Sequence, residues 1–170
     1  MSICIEKIAV IGVGTMGAGI AQIAIQSGHD VWLYDAKEGA AQSTRQKLEQ
    51  TLTQLANKGK FTHTKAEQDL ARLHLAESLQ DLAECDLVVE AIIEQLDIKQ
   101  SLIQQLETVL KPDAIIASNT SSIPIPVLAL TGIAIEASIP RTSSISFLTL
   151  STSADGRSIL FIIGIISRFC

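Results

Sequence analysis

The sequence predicts an α/β fold, a doubly wound parallel sheet, and three observations carry that prediction. Short apolar runs rich in β-branched residues recur at 7–12, 31–34, 86–91 and 114–117. Longer segments with apolar residues at helical spacing alternate with them, the pattern of β-α-β units. The first run breaks into a turn carrying Gly12, Gly14 and Gly17 just where a helix-like segment begins.

Each element has a local reason. Lys7 to Gly12 (KIAVIG) is continuously apolar, as suits a strand buried on both faces. Thr15 to Ser27 places Met16, Ile20, Ile23 and Ala24 at helical spacing, and Gly28-His29 ends it. Val31 to Tyr34 is a second strand, closed by Asp35. Ala36 to Lys60 is a long polar helix with Leu48, Leu52 and Leu55 as its apolar stripe, ended by Lys58-Gly59-Lys60. Thr64 to Ala71 reads as a shorter returning helix with Thr64 as N-cap and Glu67 three residues on. The two form a helix-turn-helix insertion after the second strand. Asp86 to Ala91 (DLVVEA) is a strand, Ile98 to Leu110 an amphipathic helix stopped by Pro112, and Ala114 to Ala117 another buried strand.

Beyond about residue 130 the character changes. Thr131 to Cys170 has few acids and many Ile, Ser and Thr, without caps or turn chemistry. The expected organisation is therefore a nucleotide-binding domain over 1–130 and an irregular, atypical tail over 131–170. Ile159 to Ile166 (ILFIIGII) is β-prone and uncharged, an aggregation hazard if nothing buries it.

Composition narrows the class. A chain of 170 residues, 47% hydrophobic and 18% charged, can bury one ordinary core. A net charge of -5 argues against nucleic acid as a main partner. Cys4, Cys85 and Cys170 are odd in number, far apart and without ligand spacing. That pattern reads as a reducing cytoplasm, no disulfide framework and no metal site. No basic-then-apolar secretory leader is visible, and the late apolar run is far below the roughly 20 residues that span a bilayer. The expectation is a soluble, cytoplasmic protein with no membrane partner.

The glycine turn carries the chemistry. Gly12 permits the tight turn out of the strand, Gly14 has no side chain to block a pyrophosphate, and Gly17 lets the helix pack closely on the sheet. The N–H groups of the loop and first helical turn, from Val13 through Thr15 and Met16, face the phosphates with the helix dipole behind them. Asp35 closes the second strand, where a carboxylate accepts from ribose hydroxyls and repels a 2′-phosphate. The strand–turn–helix context makes this a Rossmann-type site selective for NAD, with Lys37 close enough to soften the discrimination.

Three segments together resemble the NAD-binding domain of the 3-hydroxyacyl-CoA dehydrogenases, on the 3-hydroxybutyryl-CoA branch. They are Ile8 to Ala21 (IAVIGVGTMGAGIA), Asp86 to Glu94 (DLVVEAIIE) and Ala117 to Ser122 (ASNTSS). The resemblance covers roughly residues 5 to 130. It implies hydride transfer between a 3-hydroxyacyl-CoA (or 3-ketoacyl-CoA) and NAD, in fatty-acid or related acid degradation. It implies that Glu94 and Lys99 line the cofactor site beside the nicotinamide ribose, and that Ser121 touches both nicotinamide and the substrate hydroxyl, the one catalytic candidate present. Thr51 and Lys58 fall where relatives contact coenzyme A, and full-length relatives are expected to be homodimers.

The resemblance also has a gap. The family's general base is a histidine opening a His-Phe-Phe-Asn-Pro segment shortly after the serine motif, oriented by a glutamate. Here the histidines are His29, His63 and His74, all before that motif, and Arg141-Thr142-Ser143-Ser144-Ile145 stands at the expected place. The helical substrate and dimerisation domain of the family is not recognisable in 131–170. Codons for His-Phe-Phe-Asn such as CAC TTC TTC AAT read Thr-Ser-Ser-Ile when the frame slips by one base. A shift between Ser122 and Arg141 would account for the tail, and a divergent extension is the alternative. The expected activity is NAD binding with impaired catalysis. Two other readings stay open: a non-catalytic NAD-binding module, and a dehydrogenase of a free β-hydroxy acid.

Overall fold

The computed structural model describes residues 5–119, 147–151 and 158–162. In chain order the elements are β1 (Lys7–Ile11), α1 (Thr15–Gln26), β2 (Asp30–Tyr34), α2 (Ala40–Asn57), α3 (His63–Ala71), β3 (Leu73–Leu75), β4 (Leu87–Glu90), α4 (Leu96–Val109), β5 (Ile115–Ser118), β6 (Phe147–Ser151) and β7 (Ser158–Ile162). They build a single sheet in the order β3-β2-β1-β4-β5-β7-β6. The five strands from β3 to β5 run parallel, β7 joins β5 in parallel, and β6 returns antiparallel along β7.

The continuous apolar runs behave as expected of strands covered on both faces. Along β1, Ile8 and Val10 face one cluster with Ile25, Leu48 and Leu52, while Ala9 and Ile11 face another with Leu82, Leu102 and Leu106. Alternate residues of one strand thus enter opposite cores, the signature of a helix-covered parallel sheet. α2 and α3 pack together as a helical hairpin between β2 and β3, with Leu48 and Leu52 buried from the stripe read in the sequence.

Several boundaries differ. α2 begins at Ala40 because Gly39 ahead of it takes a left-handed backbone, φ 75°. α3 begins at His63 and is capped by Thr62, whose hydroxyl accepts from the Lys65 N–H, so the cap lies two residues before Thr64. β3 is three residues long, too short to show periodicity, and a 3-10 turn over Leu79–Leu82 follows it. The tail, expected to be irregular, contributes β6 and β7 to the far edge of the sheet. Its β-branched and apolar residues favour pairing once a strand edge is available. Residues 120–146, with Ser121, Ser122 and the Arg141 to Ile145 segment, lie outside the described residues. Among the described residues no helix is long and apolar enough to cross a membrane.

Candidate functional site

The carboxyl ends of β2, β1, β4 and β5 lie side by side, and the strand order reverses direction between β1 and β4. Ligands of open α/β sheets bind at such a switch point.

The glycine loop fills the centre of that edge. Gly12 sits at φ 86°, and a Cβ on it would lie 2.7 Å from the Ala91 carbonyl and 2.8 Å from the Ile92 nitrogen. The backbone of β1 can therefore pass this close to the end of β4 only as glycine. The Gly12 N–H donates to the Tyr34 carbonyl at 2.9 Å, tying the loop to β2 as well. A Cβ on Gly17 would lie 1.9 Å from the Gly12 oxygen, so helix α1 packs on the loop itself. Gly14 is the reverse case: no atom lies within 4 Å of where its Cβ would be. It is the N-cap of α1 and supplies no side-chain cap. The first N–H groups of a helix have no intrahelical partner, so Thr15 and Met16 present donors at an exposed opening. The open space at Gly14 and these donors fit a pyrophosphate.

Asp35 is fixed by the backbone around it. The Val13 N–H donates to its Oδ2 and the Lys37 N–H to its Oδ1, each at 2.9 Å. One lone pair on each oxygen remains for a ribose hydroxyl. Thr44, buried on α2, donates to the Val13 carbonyl at 3.0 Å, so the hairpin insertion holds the loop from its other side. A cleft of about 780 Å³ opens from this corner, lined by Gly12, Gly14, Tyr34, Asp35, Ile92 and Ile98 among others. Its walls are mainly apolar, as an adenine ring requires.

On the β4–β5 side lies a buried polar cluster. Glu90, the last residue of β4, accepts from the Ile92 N–H at 2.8 Å, from Lys99 Nζ at 2.7 and 2.9 Å, and from Ser118 Oγ at 2.6 Å. Lys99 Nζ also lies 3.3 Å from Glu94 Oε2. Glu90 and Lys99 have no exposed surface, and Ser118 has 1%. Lys99, expected to line the cofactor site, is thus enclosed, while the Glu94 side chain is 32% exposed.

The remaining candidates lie elsewhere. Thr51 and Lys58 do not line the cleft. They stand seven residues apart on α2, hence on one side of it, with Thr51 donating to the Lys47 carbonyl and Lys58 as the exposed C-cap. Ser121 lies outside the described residues, but β5, three residues before it, ends at the ligand edge. None of the three histidines is at that edge. His29 immediately precedes β2, His63 opens α3, and His74 on β3 stacks on Trp32 with ring centroids 4.6 Å apart. Burial pushes the Cys85 thiol up to about 11, so it is a neutral core group rather than a nucleophile.

Residues 7–132 match the family model of the 3-hydroxyacyl-CoA dehydrogenase NAD-binding domain. The chain is 50% identical over 123 residues to a probable 3-hydroxybutyryl-CoA dehydrogenase of Deinococcus radiodurans, covering 72% of this chain and 44% of that protein. It is 41% identical over 129 residues to the 3-hydroxybutyryl-CoA dehydrogenase of Bradyrhizobium diazoefficiens, covering 76% and 44%. The crystal structure of 3-hydroxybutyryl-CoA dehydrogenase from Escherichia coli K12 superposes with a TM-score of 0.73 at 39% identity, covering 75% of this chain and 27% of that one. The chain thus spans less than half the length of these relatives. With the glycine loop, Asp35 and the reversal of strand order in place, the chain belongs to the 3-hydroxyacyl-CoA dehydrogenase family and carries its NAD-binding domain.

Proposed function

We propose that this chain supplies the NAD-holding half of a short-chain 3-hydroxyacyl-CoA dehydrogenase, of the 3-hydroxybutyryl type, working in the cytoplasm. The single observation that carries the reading is the glycine loop: closed at Gly12 and Gly17 by contacts only glycine allows, open at Gly14, and joined to Asp35 through the Val13 N–H. Gly14, Thr15 and Met16 hold the pyrophosphate on a loop shaped by Gly12, Val13 and Gly17, and Asp35 takes the adenosine ribose. Glu94, Lys99 and Ser121 serve the nicotinamide side. The chemistry the bound cofactor supplies is acceptance or return of a hydride.

The substrate side rests on the family resemblance. Ser121 donates a hydroxyl hydrogen bond to the substrate's 3-oxygen, and Thr51 and Lys58 meet the coenzyme A portion, the ammonium facing a phosphate as a point charge. Proton removal from the substrate hydroxyl needs a base within hydrogen-bond reach. His29, His63 and His74 sit away from the ligand edge, so this chain holds the cofactor without a histidine base of its own among the described residues.

The test is a calorimetric titration with NAD beside a hydride-transfer assay with acetoacetyl-CoA and NADH. The expected result is NAD binding with turnover lowered by on the order of 10²–10⁴ relative to complete family members. Failure to bind NAD overturns the reading of the site. Full turnover overturns the reading of the missing base.

A further inference from the structure

We propose that Thr44 is a positioning residue for the cofactor: its buried hydroxyl locks the Val13–Gly14 peptide in the orientation that presents the Gly14 N–H to the pyrophosphate. The proposal rests on the reading that this chain binds NAD through the glycine loop.

Helix α2 itself sets Thr44 apart. A hydroxyl inside a helix commonly bonds the carbonyl four residues back. Thr51 and Thr53 on α2 do so, donating to the Lys47 and Glu49 carbonyls at 2.8 Å each. Thr44 instead reaches off its helix, to the Val13 carbonyl 3.0 Å away. It is also the polar member of a buried stripe, Thr44, Leu48, Leu52 and Ala56, whose other members are apolar. Valine would fill this position with nearly the same shape, so what threonine adds is the hydrogen bond.

The consequence of that bond lies across the peptide plane. The carbonyl and the N–H of a trans peptide point in opposite directions. Thr44 and Val13 are both 5% exposed, so the hydroxyl meets the carbonyl on the buried side. The Gly14 N–H therefore faces the other way. Gly14 is exposed and lines the cleft, with no atom within 4 Å of where its Cβ would be. The flanking peptides are held by other groups. The Val13 N–H donates to Asp35 Oδ2, and the Gly14 carbonyl accepts from the Ala18 N–H at 2.9 Å, the first bond of α1. Thr44 holds the peptide between them.

Glycine is what makes this hold matter. Turning the Val13–Gly14 peptide over would swing Gly14 from its φ of -63° into the positive range. A residue with a side chain resists that change, and glycine accepts it. The missing side chain that opens the approach of a pyrophosphate thus also removes the steric bar to a flipped peptide. The Thr44 hydroxyl restores that bar from the neighbouring helix. A loop already fixed in its binding orientation loses less freedom when the ligand arrives.

The experiment compares the native chain with Thr44→Val, which removes the hydroxyl and keeps the shape, and with Thr44→Ser, which keeps the hydroxyl. Each is titrated with NAD, with ADP, and with adenosine, which reaches Asp35 but carries no phosphate. The Gly14 amide is followed by NMR relaxation dispersion in the free chain, where a flipping peptide shows as microsecond-to-millisecond exchange. In Thr44→Val the expected result is NAD and ADP affinity down about fivefold, the worth of one ordinary hydrogen bond, with adenosine affinity native. The Gly14 amide should then show exchange that NAD suppresses, and Thr44→Ser should restore both affinity and a quiet amide. Native NAD and ADP affinity in Thr44→Val, an equal loss for adenosine, a quiet Gly14 amide, or no rescue by serine each overturns the proposal. Thr44→Ala decides it by the same readings if Thr44→Val does not fold. A native chain that binds neither NAD nor ADP overturns the underlying NAD reading instead.

Discussion

At the scale of single residues, two glycines of one loop should respond to the same substitution in opposite ways. In Gly17→Ala the new methyl meets the Gly12 carbonyl oxygen at 1.9 Å, and that oxygen belongs to backbone that cannot swing aside. The loop must shift, at a cost of about 1–3 kcal/mol typical of overpacking, and the shift carries the phosphate-facing N–H groups with it. Both melting temperature and NAD affinity should fall. In Gly14→Ala the methyl enters empty space, and the backbone, φ -63° and ψ -166°, suits alanine. The melting temperature should match the native chain while NAD affinity falls, because the methyl occupies the approach of the pyrophosphate. A Gly14→Ala variant with native affinity would show that the phosphate passes elsewhere. These glycines and Asp35 were legible in the sequence because their task is local: a turn, a close approach, a carboxylate at a strand end. Glu90 and Ser118 were not, since their pairing depends on register between residues 28 apart in sequence. The signal was there in a weak form, an acid standing inside the apolar run DLVVEA. Thr44 was hidden for the same reason, a buried hydroxyl whose partner is a loop 31 residues earlier.

At the scale of elements, the order and type of the helices and of β1, β2, β4 and β5 followed from periodicity, because each is long or apolar enough to declare itself. Their edges followed less well, and the start of α3 shows why. Thr62 and Thr64 are both acceptable caps by composition, and Thr64 has the acid Glu67 three residues on. The backbone chooses Thr62, whose extended φ -77° and ψ 155° let its hydroxyl accept from the Lys65 N–H. Thr62→Ala should therefore lower stability by about 1 kcal/mol, the usual worth of an N-cap. Thr64→Ala, at an exposed position inside the helix, should stay within about 0.5 kcal/mol of native. Urea unfolding of the two variants checks this, and a larger loss in Thr64→Ala would restore the cap read from the sequence. β3 escaped notice because three residues cannot show a period of two. It is held in place by pairing with β2 over Val31, Trp32 and Leu33 rather than by its own pattern.

At the scale of the whole molecule, the sheet is fastened at both ends, by the glycine loop at the ligand edge and by Asp86 at the opposite one. Asp86 Oδ2 accepts from the Glu6 and Lys7 N–H groups at 2.8 Å each, ahead of β1 and in its first residue. Its Oδ1 pairs with Lys111, which precedes β5. One carboxylate thus joins the start of β1 to the chain entering β4 and β5. Burial alone would raise the Asp86 pKa, but the Lys111 ammonium and the two N–H donors outweigh it and hold the carboxyl below its ordinary value. A carboxyl whose folded pKa is depressed contributes stability that is fully present above its unfolded pKa. That contribution is lost as pH falls through the folded value. Lys111, raised by the same pair, contributes at the other end: its share is complete below its ordinary pKa and disappears as pH rises through the raised one. Between these limits Asp86→Asn should melt below the native chain. As the pH falls from about 4, where ordinary carboxyls protonate, through the lower folded value, the two melting curves should converge, because the native side chain then also becomes neutral. Melting temperatures of both proteins recorded from neutral to acid pH give the answer. A gap that stayed constant down to the lowest pH would mean that shape and hydrogen bonding at residue 86, and not its charge, fasten this edge of the sheet.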